Sequence, residues 1–590
     1  IEGRMEKIEK VGKKLSENAY LASLLIVSIA SIYASIAFTR EGSENTRISE
    51  HSLMPGIVLP TFDKDSQQIK WLRELMNMKD IQTRSEYIAN EMNIFSIESS
   101  VHKWTKSNIF KNSSGTSTVS LLRAYRSTGA ESMIIATRME DSHAVAMTMA
   151  LAYHSRDHSY WSRDIFFLFV DGGEEGMDAW LEEYYGFNKE NEEGDDMRGR
   201  GRFVVAAVVL ETPEYLARKH VVEVKVNGMN GQLPNLDLFN SVARIAHRGR
   251  NQLNIVIYPE DERSVHDDSP LIPLRFLLSQ AFSGVEGIHS PFSKYGVQAI
   301  TIRGPRMKSG EKTGRTEFLM EGIMRSLNNL HERFHQSYFL YVLITPGFFS
   351  SIAFYLPIVG LFFAPLLIFS LREWFSTGIS TDYSSFRPDI SLLFLFLFGI
   401  SSLLIIDPLV RFTSIDQEGI TRLVIGILIF PLGLFVKIDS LSSSRFLLLI
   451  STSLLLGSIA LLNFALSLFS SIAILPAILI TMAPASTKLG RLTRTLLLFL
   501  FNPIIVILLG KLAIISLQYE WWSHADNKLI EWSVLIGGPQ YILSTVYLII
   551  DQFFTLGSWH LPLLLIFAGP LWNSLLSLAS TQDVQKNVEI

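Results

Sequence analysis

The chain has 590 residues, 48% of them hydrophobic, and a formal net charge of −5. This hydrophobic fraction is too high for an ordinary soluble protein of this size, and the small negative charge gives no indication of nucleic-acid binding. Because the chain contains no cysteine, it can form no disulfide bond and can supply no thiolate nucleophile.

The N-terminal part combines a basic segment with an apolar run. Its first four residues, IEGR, have the sequence of a protease-cleavage tag, so we expect the natural chain to begin at Met5. The lysine-rich segment 5–18 precedes the apolar run 19–38, which is long enough for a transmembrane anchor. The positive-inside rule then places 5–18 in the cytoplasm and the following domain in the lumen. A cleaved signal peptide is the alternative, although its apolar core would be shorter.

Residues 39–345 are polar and mixed, and strand-like stretches alternate there with helix-like ones. This alternation predicts an α/β lumenal domain with a central, mostly parallel or mixed sheet between helices. Asn112 begins a glycosylation sequon, and Lys189–Arg202 is predicted to be an exposed loop. We predict strands at 133–137, 165–170, 203–210 and 297–302, and helices at 144–154, 179–185 and 316–339.

Residues 346–580 consist of Leu/Ile/Phe-rich blocks separated by short polar links, and a tail follows at 581–590. Such blocks predict an all-α polytopic membrane domain, with about eight spans once the N-terminal anchor is included. The stretch 534–551 is interrupted by Gly537-Gly538-Pro539, so it is predicted to be re-entrant or interfacial. The predicted spans of this domain are 348–371, 389–406, 420–436, 446–463, 466–483, 494–517 and one within 553–579.

One segment of the lumenal domain carries the residues of a candidate hydrolase site. In Ser162–Gly176, SRDIFFLFVDGGEEG, an apolar strand ends in a Gly-Gly turn followed by Glu174 and Glu175. A metallohydrolase needs His, Asp and Glu ligands at strand ends and a carboxylate beside the metal as general base. Glu211 follows the next apolar strand, and His289 precedes the strand at 297–302.

The order of these features resembles the M28 family of zinc aminopeptidases. The matching segments are RDIFFLFVDGGEEG, LETP and IHSPFSKYGVQAITI. The family's early histidine position falls on Arg138, with Glu140 or Asp141 at the carboxylate position, and its final Asp-His is Ile288-His289 here. An arginine stays protonated and has no lone pair for zinc, so we expect Arg138 to pair with a nearby carboxylate, namely Glu174, Glu175 or Glu211.

The resemblance therefore implies a broken ligand set. No cofactor is expected, but a single residual metal ion stays possible, with Asp141, Glu174, Glu175, Glu211 and His289 as candidate ligands. The alternative is an active zinc metallo-enzyme, either a peptidase or the catalyst of an amide-forming step, that uses Glu174, Glu175, Glu211 and His289.

Four further stretches resemble the GPI-anchor attachment subunits of GPI transamidase, an endoplasmic-reticulum membrane complex. They are RISEHSLMPG at 47–56, VNGMNGQLPNLDLFN at 226–240, RSLNNLHERFHQSYFLYVL at 325–343 and FNPIIVILLG at 501–510. The resemblance implies a complex that cleaves a precursor protein and joins its new C-terminus to a GPI lipid. In that family the nucleophile is a cysteine of a separate caspase-like subunit. The implied role is a pseudo-enzyme subunit that binds and presents the lipid and holds the other subunits together.

A lipid with an anionic, sugar-bearing head places its acyl chains between spans and its head at the membrane boundary. Two segments are expected at that boundary, namely Ser49-Glu50-His51 and His335-Gln336. Glu50 could bind an ethanolamine ammonium group, and His335 could bind phosphate or sugar. Asn502-Pro503 frees backbone groups inside a late span that also carries Lys511, so these residues are further candidates. The alternative for Lys511 is that its side chain only snorkels to the interface.

Overall fold

The structure of the chain is a computed structural model. The chain divides into two compact units. The membrane unit comprises Ile1–Gly42, Leu274–Gly284 and Ser350–Ile590, and the large domain comprises Ser43–Pro273 and Val285–Phe349. The described residues are 18–55, 58–63, 66–107, 111–187, 201–216, 221–247, 253–257, 271–285, 287–306, 315–330, 334, 340–376, 389–412, 416–483, 487–518 and 538–581.

The described strands form two sheets. In chain order they are β1 (Glu44–Asn45), β2 (Glu98–Ser107), β3 (Asn112–Leu122), β4 (Glu131–Arg138), β5 (Asp164–Val170), β6 (Phe203–Glu211), β7 (Val221–Lys225), β8 (Asn254–Val256), β9 (Ala299–Arg303), β10 (Tyr341–Thr345) and β11 (Phe348–Ser351). The main sheet has the order β2-β3-β5-β4-β6-β9-β7-β8, and a small sheet has the order β1-β11-β10.

The described α-helices are distributed over both units. In chain order they are α1 (Ala19–Ala37), α2 (Ser66–Asn77), α3 (Ile81–Ile94), α4 (Ser142–Arg156), α5 (Gly173–Tyr184), α6 (Leu236–Ala246), α7 (Leu271–Phe282), α8 (Arg315–Asn328), α9 (Ile352–Ser376), α10 (Ile390–Phe412), α11 (Gln417–Ile429), α12 (Leu441–Leu462), α13 (Phe464–Met482), α14 (Lys488–Leu498), α15 (Pro503–Gln518), α16 (Gly538–Leu556) and α17 (His560–Ser580).

The centre of the main sheet is parallel. Strands β5, β4, β6 and β9 run parallel to one another, whereas the pairs β2–β3, β3–β5 and β7–β9 are antiparallel. Every residue of β5 is buried, and its apolar side chains alternate between the two faces. Helix α5 packs on the face that carries Ile134, Phe166 and Val209, and α4 also contacts β4, β5 and β6. The predicted α/β class and mixed sheet are confirmed.

Two parts of the large domain differ from the sequence interpretation. Helix α8 ends at Asn328 rather than at Phe339, and the strand β10 follows at Tyr341–Thr345. At this end Arg163 donates hydrogen bonds to the last carbonyls of α8, at Leu327 and Asn328, and so satisfies groups that have no partner within the helix. The antiparallel pair β2–β3 was not predicted, since its Ser/Thr/Lys-rich residues lack an apolar pattern. The predicted loop Lys189–Arg202 lies almost wholly outside the described residues.

Six described helices are long and apolar enough to cross a membrane, and the bent pair Lys488–Phe501 and Pro503–Ala513 makes a seventh if it is one span. The six are Ala19–Ala37, Ile352–Phe375, Ile390–Leu409, Leu441–Leu462, Phe464–Met482 and His560–Ser580. A multi-pass membrane protein is thereby confirmed.

The predicted span 420–436 needs correction. Helix α11 has 13 residues, a length of about 20 Å against a hydrocarbon core of about 30 Å. It ends because Pro431 forces Phe430 into an extended conformation, with ψ at 121°. Of the interrupted stretch 534–551, residues 534–537 lie outside the described residues, and the rest belongs to α16, whose first turn carries Gly538-Pro539.

Candidate functional site

Charged residues of alternating sign lie side by side across four strands of the main sheet. The strand register places Arg138, the last residue of β4, beside Glu211, the last residue of β6. Glu211 is paired in turn with Arg303 at the end of β9, and Arg303 with Glu223 on β7. Since β4, β6 and β9 are parallel, their carboxyl ends meet at one edge of the sheet. We call these four residues the charge row.

Ion pairs connect the charge row and extend it to helix α5. Arg138 Nη2 lies 2.7 Å from Glu174 Oε1, and Arg138 Nε lies 3.1 Å from Glu211 Oε1. Arg303 Nε lies 2.7 Å from the other oxygen of Glu211, and its Nη1 lies 3.6 Å from Glu223 Oε2. Arg138 thus makes the pairing with Glu174 and Glu211 that its position in the sequence predicts.

Burial and neighbouring charges shift the pKa values of Glu211 and Arg138 in opposite directions. Burial alone would raise the pKa of Glu211, but Arg303 and Arg138 hold that pKa below its ordinary value. Burial alone would lower the pKa of Arg138, yet Glu174 and Glu211 raise it. Both groups are therefore ionised at neutral pH, and each carboxylate oxygen of Glu211 accepts a hydrogen bond from a guanidinium group.

The Gly-Gly turn makes room for this arrangement. Gly172 and Gly173 both have positive φ, at 75° and 62°, where residues with a Cβ are strained. A Cβ at Gly172 would lie 2.3 Å from the indole of Trp104, and one at Gly173 would lie 3.1 Å from Arg138 Nη1. The turn therefore brings the first turn of α5, with the half-buried Glu174 and Glu175, close to the guanidinium group.

The other predicted ligands have structural partners. Asp141 caps α4 through the N–H of Ala144 and also accepts hydrogen bonds from the N–H and hydroxyl of Thr212, at 2.6 and 2.7 Å. His289 is buried, with Nε2 at 3.1 Å from the carbonyl oxygen of Asn227 and Nδ1 at 2.8 Å from Thr301 Oγ1. A carbonyl oxygen only accepts, so Nε2 carries the hydrogen and Nδ1 accepts from the threonine. Neither histidine nitrogen has a lone pair left for a metal.

These residues do not fit a metal ion. Two arginines saturate Glu211 and one of them also holds Glu174, while Asp141 and His289 are engaged elsewhere. Within the described part of the chain, no group of three or more His, Asp or Glu side chains has the geometry of a metal site. The sequence interpretation missed Arg303 and Glu223, although an arginine directly after the apolar strand AITI was a usable signal.

The predicted boundary segment Ser49-Glu50-His51 is held to helix α6 by its backbone. The N–H groups of Ser49 and Glu50 donate to the carboxylate of Asp237, at 3.0 and 2.9 Å. Burial raises the pKa of Asp237, although these two N–H groups act in the opposite direction. Glu50 is only 7% exposed, whereas His51 is exposed. Residues 49–51 and the Asp237 of the 226–240 stretch therefore form one structural unit. His335 and Gln336 lie outside the described residues.

The Asn502-Pro503 pair borders an apolar cavity of about 140 Å³ in the membrane unit. Asn502 is buried, donates to the carbonyl oxygen of Leu428 and accepts from the N–H of Ile504, so it joins α11 to the start of α15. Pro503 itself lines the cavity. Other helices contribute Phe282 from α7, Ile459 from α12, Ala473 from α13, Ile549 from α16 and Leu564 from α17.

The chain is thus a multi-pass membrane protein with a large α/β domain whose sheet edge carries carboxylates that are ion-paired with two arginines. The family model described as "Gaa1-like, GPI transamidase component" matches residues 114–576. This match covers more than half of the chain, which therefore belongs to the Gaa1-like family of GPI transamidase components.

Individual relatives agree with that assignment. The GPI transamidase component GAA1 of Saccharomyces cerevisiae is 27% identical over 328 residues, which are 53% of this chain and 50% of the relative. The GPI transamidase component gaa1 of Schizosaccharomyces pombe is 27% identical over 379 residues, 61% of this chain and 63% of the relative. The chain therefore spans between half and two thirds of the length of these curated relatives.

Solved structures are similar to parts of the chain. A Fimbriiglobus ruber glutaminyl cyclase has a TM-score of 0.30 at 10% identity, over 46% of this chain and 98% of that chain. An aminopeptidase from Aneurinibacillus sp. strain AM-1 has a TM-score of 0.23 at 12% identity, over 38% of this chain and 50% of that chain.

Proposed function

We propose that this chain is a non-catalytic subunit of the GPI transamidase complex in the endoplasmic-reticulum membrane. The observation that carries this proposal is Arg138, whose guanidinium group lies between Glu174 and Glu211. A zinc hydrolase keeps its carboxylates and histidines for the metal and leaves one position open for water or substrate. Here arginines hydrogen-bond both oxygens of Glu211 and one oxygen of Glu174, which supports a sheet edge that holds no metal-activated water.

The partners follow from the same proposal. The chain has no cysteine, so a cysteine nucleophile for precursor cleavage has to come from another subunit, for which we propose a caspase-like protease. The chain would assemble with that subunit and others, with its N-terminus in the cytoplasm and its large domain in the lumen.

We also propose that the chain binds and presents the GPI lipid. Two features support this part. The membrane unit contains an apolar cavity bordered by Pro503, and hydrocarbon chains are the ligands that such a cavity favours. In addition, the exposed His51 follows Glu50 in the segment after the first span, where a lipid head is expected.

Metal analysis of the purified complex tests the non-catalytic role. We expect less than a stoichiometric amount of zinc in this subunit, and we expect the double variant Arg138→Met/Glu174→Gln, which removes one positive and one negative charge, to keep GPI transfer. A full equivalent of tightly bound zinc, with transfer lost in Glu175→Gln or Glu211→Gln while the complex stays assembled, would establish the alternative, an active metallo-enzyme.

Substitutions in the boundary segments test the lipid part. We expect His51→Ala, Glu50→Ala and His335→Ala to reduce GPI transfer in complexes that still co-purify with all subunits. Ser52→Ala is the neighbouring control. Unchanged transfer in all three variants, with intact assembly, would exclude the boundary segments as the head-group site.

A further inference from the structure

Lys511 stands on the side of α15 that faces the apolar cavity of the membrane unit. Ile507 lines the cavity, and Lys511 lies one helical turn further along the same face. The residue between these turns, Gly510, packs so closely on Phe282 that an added Cβ would lie 2.8 Å from its ring. Phe282 and His560 line the cavity, and Lys511 is near enough to His560 to interact with it electrostatically.

The end of the cavity near Lys511 is formed by helix termini. His560 is the first residue of α17, after a turn at Gly557 with a φ of 80°. Helix α7 ends beside His560, at Phe282. In the sequence, α7 lies between two segments of the large domain, although residues 274–284 belong to the membrane unit. Helices of a membrane bundle commonly end near the headgroup region, so a lipid head group is expected at this end of the cavity, although α15 itself continues to Gln518.

The other polar side chains at this end already hold α7 in place. Asn463 Nδ2 donates to the carbonyl oxygen of Gln280 at 3.2 Å, and His560 Nε2 donates to that of Ala281 at 3.3 Å. His560 Nδ1 in turn accepts from the hydroxyl of Ser558 at 2.8 Å. Both ring nitrogens of His560 are therefore engaged in hydrogen bonds, and the histidine fixes the end of α7 by binding its backbone.

Lys511 has no such role. Within the described segments, no carboxylate interacts with its ammonium group, and no hydrogen bond or ion pair of that group is found. A cation among membrane helices is costly without an anionic partner, and lysines near the boundary commonly bind lipid phosphates. The side chain therefore combines a desolvated positive charge with an adjoining space for hydrocarbon.

We propose that Lys511 and the apolar cavity form one lipid site, in which Lys511 binds the phosphodiester and the cavity takes up part of an acyl chain. A volume of about 140 Å³ is similar to that of engineered apolar cavities of about 150 Å³ that bind benzene. Phosphodiester and acyl chain occur together both in a GPI lipid and in an ordinary phospholipid. The inference rests on the proposed function only where it takes GPI, rather than an ordinary phospholipid, as the bound lipid.

Photolabelling of the intact purified complex tests this site. The probes are phosphatidylinositol with a photoreactive acyl chain and a diacylglycerol with the same chain but no phosphate. We expect the phosphatidylinositol probe to label cavity residues, and Lys511→Met to reduce this labelling about tenfold, since a charge-assisted contact is lost. Lys511→Arg should keep the labelling, and the weaker labelling by diacylglycerol should not change in Lys511→Met.

A matched pair of variants tests whether the cavity takes up the acyl chain. Ala473→Phe places a ring in the cavity and should reduce labelling by both probes, whereas Ile472→Phe, at a neighbouring residue that is 43% exposed, should leave both unchanged. Equal labelling of the wild type by both probes, or wild-type labelling in Lys511→Met, would overturn the phosphate site. Unchanged labelling in Ala473→Phe would overturn the cavity.

Competition with unlabelled lipids shows whether the site prefers a GPI lipid or an ordinary phospholipid. Displacement of the probe by GPI at lower concentrations than by phosphatidylethanolamine would support both the site and the proposed presentation of GPI. Equal displacement would support the site as a general phospholipid site and would remove this support for GPI presentation. If the labelling tests exclude the Lys511 site while GPI transfer still depends on His51 or His335, the proposed function is not contradicted.

Discussion

Arg138 determines the charge at this edge of the sheet, because its guanidinium group lies between Glu174 and Glu211. It is one-third exposed, while its partner Glu211 is largely buried between two guanidinium groups. A buried carboxylate that loses one of its cations is costly, because its remaining charge is poorly solvated. The stability of the charge row therefore depends on both arginines.

We predict that Arg138→Met lowers the free energy of unfolding of the large domain by about 2–3 kcal/mol, because Glu174 and Glu211 lose a hydrogen-bonded cation. Urea unfolding of the detergent-solubilised chain, followed by pulse proteolysis, measures this change. The control is Arg123→Met, whose ion pair with Glu98 is more than one-third exposed on both sides. That variant should change the free energy by no more than about 0.5 kcal/mol. Equal effects of the two substitutions would contradict the role of Arg138.

A second buried carboxylate, Glu321 on α8, holds the chain segment before α2. It accepts hydrogen bonds from the N–H groups of Thr61 and Phe62, at 2.6 and 2.5 Å. Burial alone would raise the pKa of Glu321, but the nearby His154 and the hydrogen bonds from these N–H groups lower it from 4.5 to about 2. Because the pKa is lower in the folded chain, the stabilisation is complete above pH 4.5 and is lost as the pH falls towards 2.

We predict that Glu321→Gln destabilises the large domain by about 2 kcal/mol at neutral pH, since charge-assisted bonds are replaced by weaker ones. The difference from the wild type should shrink as the pH falls from 4.5 towards 2. Tryptophan fluorescence in urea, recorded at several pH values, follows both proteins. Glu98→Gln, at a more exposed position, serves as control. A difference that stays constant over this pH range would show that Glu321 does not carry the dependence.

At the scale of secondary-structure elements, the turn between β5 and α5 and the capping of membrane helices decide the local architecture. Arg494 illustrates the second case. Its guanidinium group donates to the carbonyl oxygens of Ala483 and Ala579, at 2.6 and 3.0 Å, and so joins the C-terminal ends of α13 and α17. In the sequence this arginine counts only as a positive charge in a link between spans.

We predict that Gly172→Ala lowers the free energy of unfolding by more than 2 kcal/mol, since a Cβ clash with Trp104 adds to a backbone cost of about 1 kcal/mol at positive φ. The matched control is Gly129→Ala. Its φ of 77° is almost the same, but nothing lies within 4 Å of the added Cβ, so only the backbone cost of about 1 kcal/mol should remain. Thermal unfolding of the two variants gives the comparison, and similar values would show that the packing against Trp104 is unimportant.

At the scale of the whole molecule, the orientation of the large domain across the membrane is open to a direct test. Asn112 is exposed at the start of β3, and its sequon ends at the equally exposed Ser114. Glycans are added only in the lumen, so modification of this site requires a lumenal domain.

We predict that the chain expressed in microsomes carries one N-glycan at Asn112. Endoglycosidase should increase its electrophoretic mobility, and Asn112→Gln should abolish that change. Ser114→Ala, which keeps the asparagine but removes the sequon, should behave like Asn112→Gln. If Asn112→Gln has the same mobility as the wild type before endoglycosidase treatment, the domain is either unmodified or on the cytoplasmic side.

The sequence by itself determined most of the membrane helices, the central strands and the position of Arg138 among carboxylates. Those features depend on local apolar runs and on residue type, which can be read along the chain. Tertiary structure alone decided the contacts of Arg163 with the end of α8, the second arginine of the charge row, the hydrogen bonds from the backbone of residues 49–50 to Asp237 and the packing of α7 against α15. Each of these results from contacts between residues far apart in sequence, where geometry, rather than composition, determines which charges are paired.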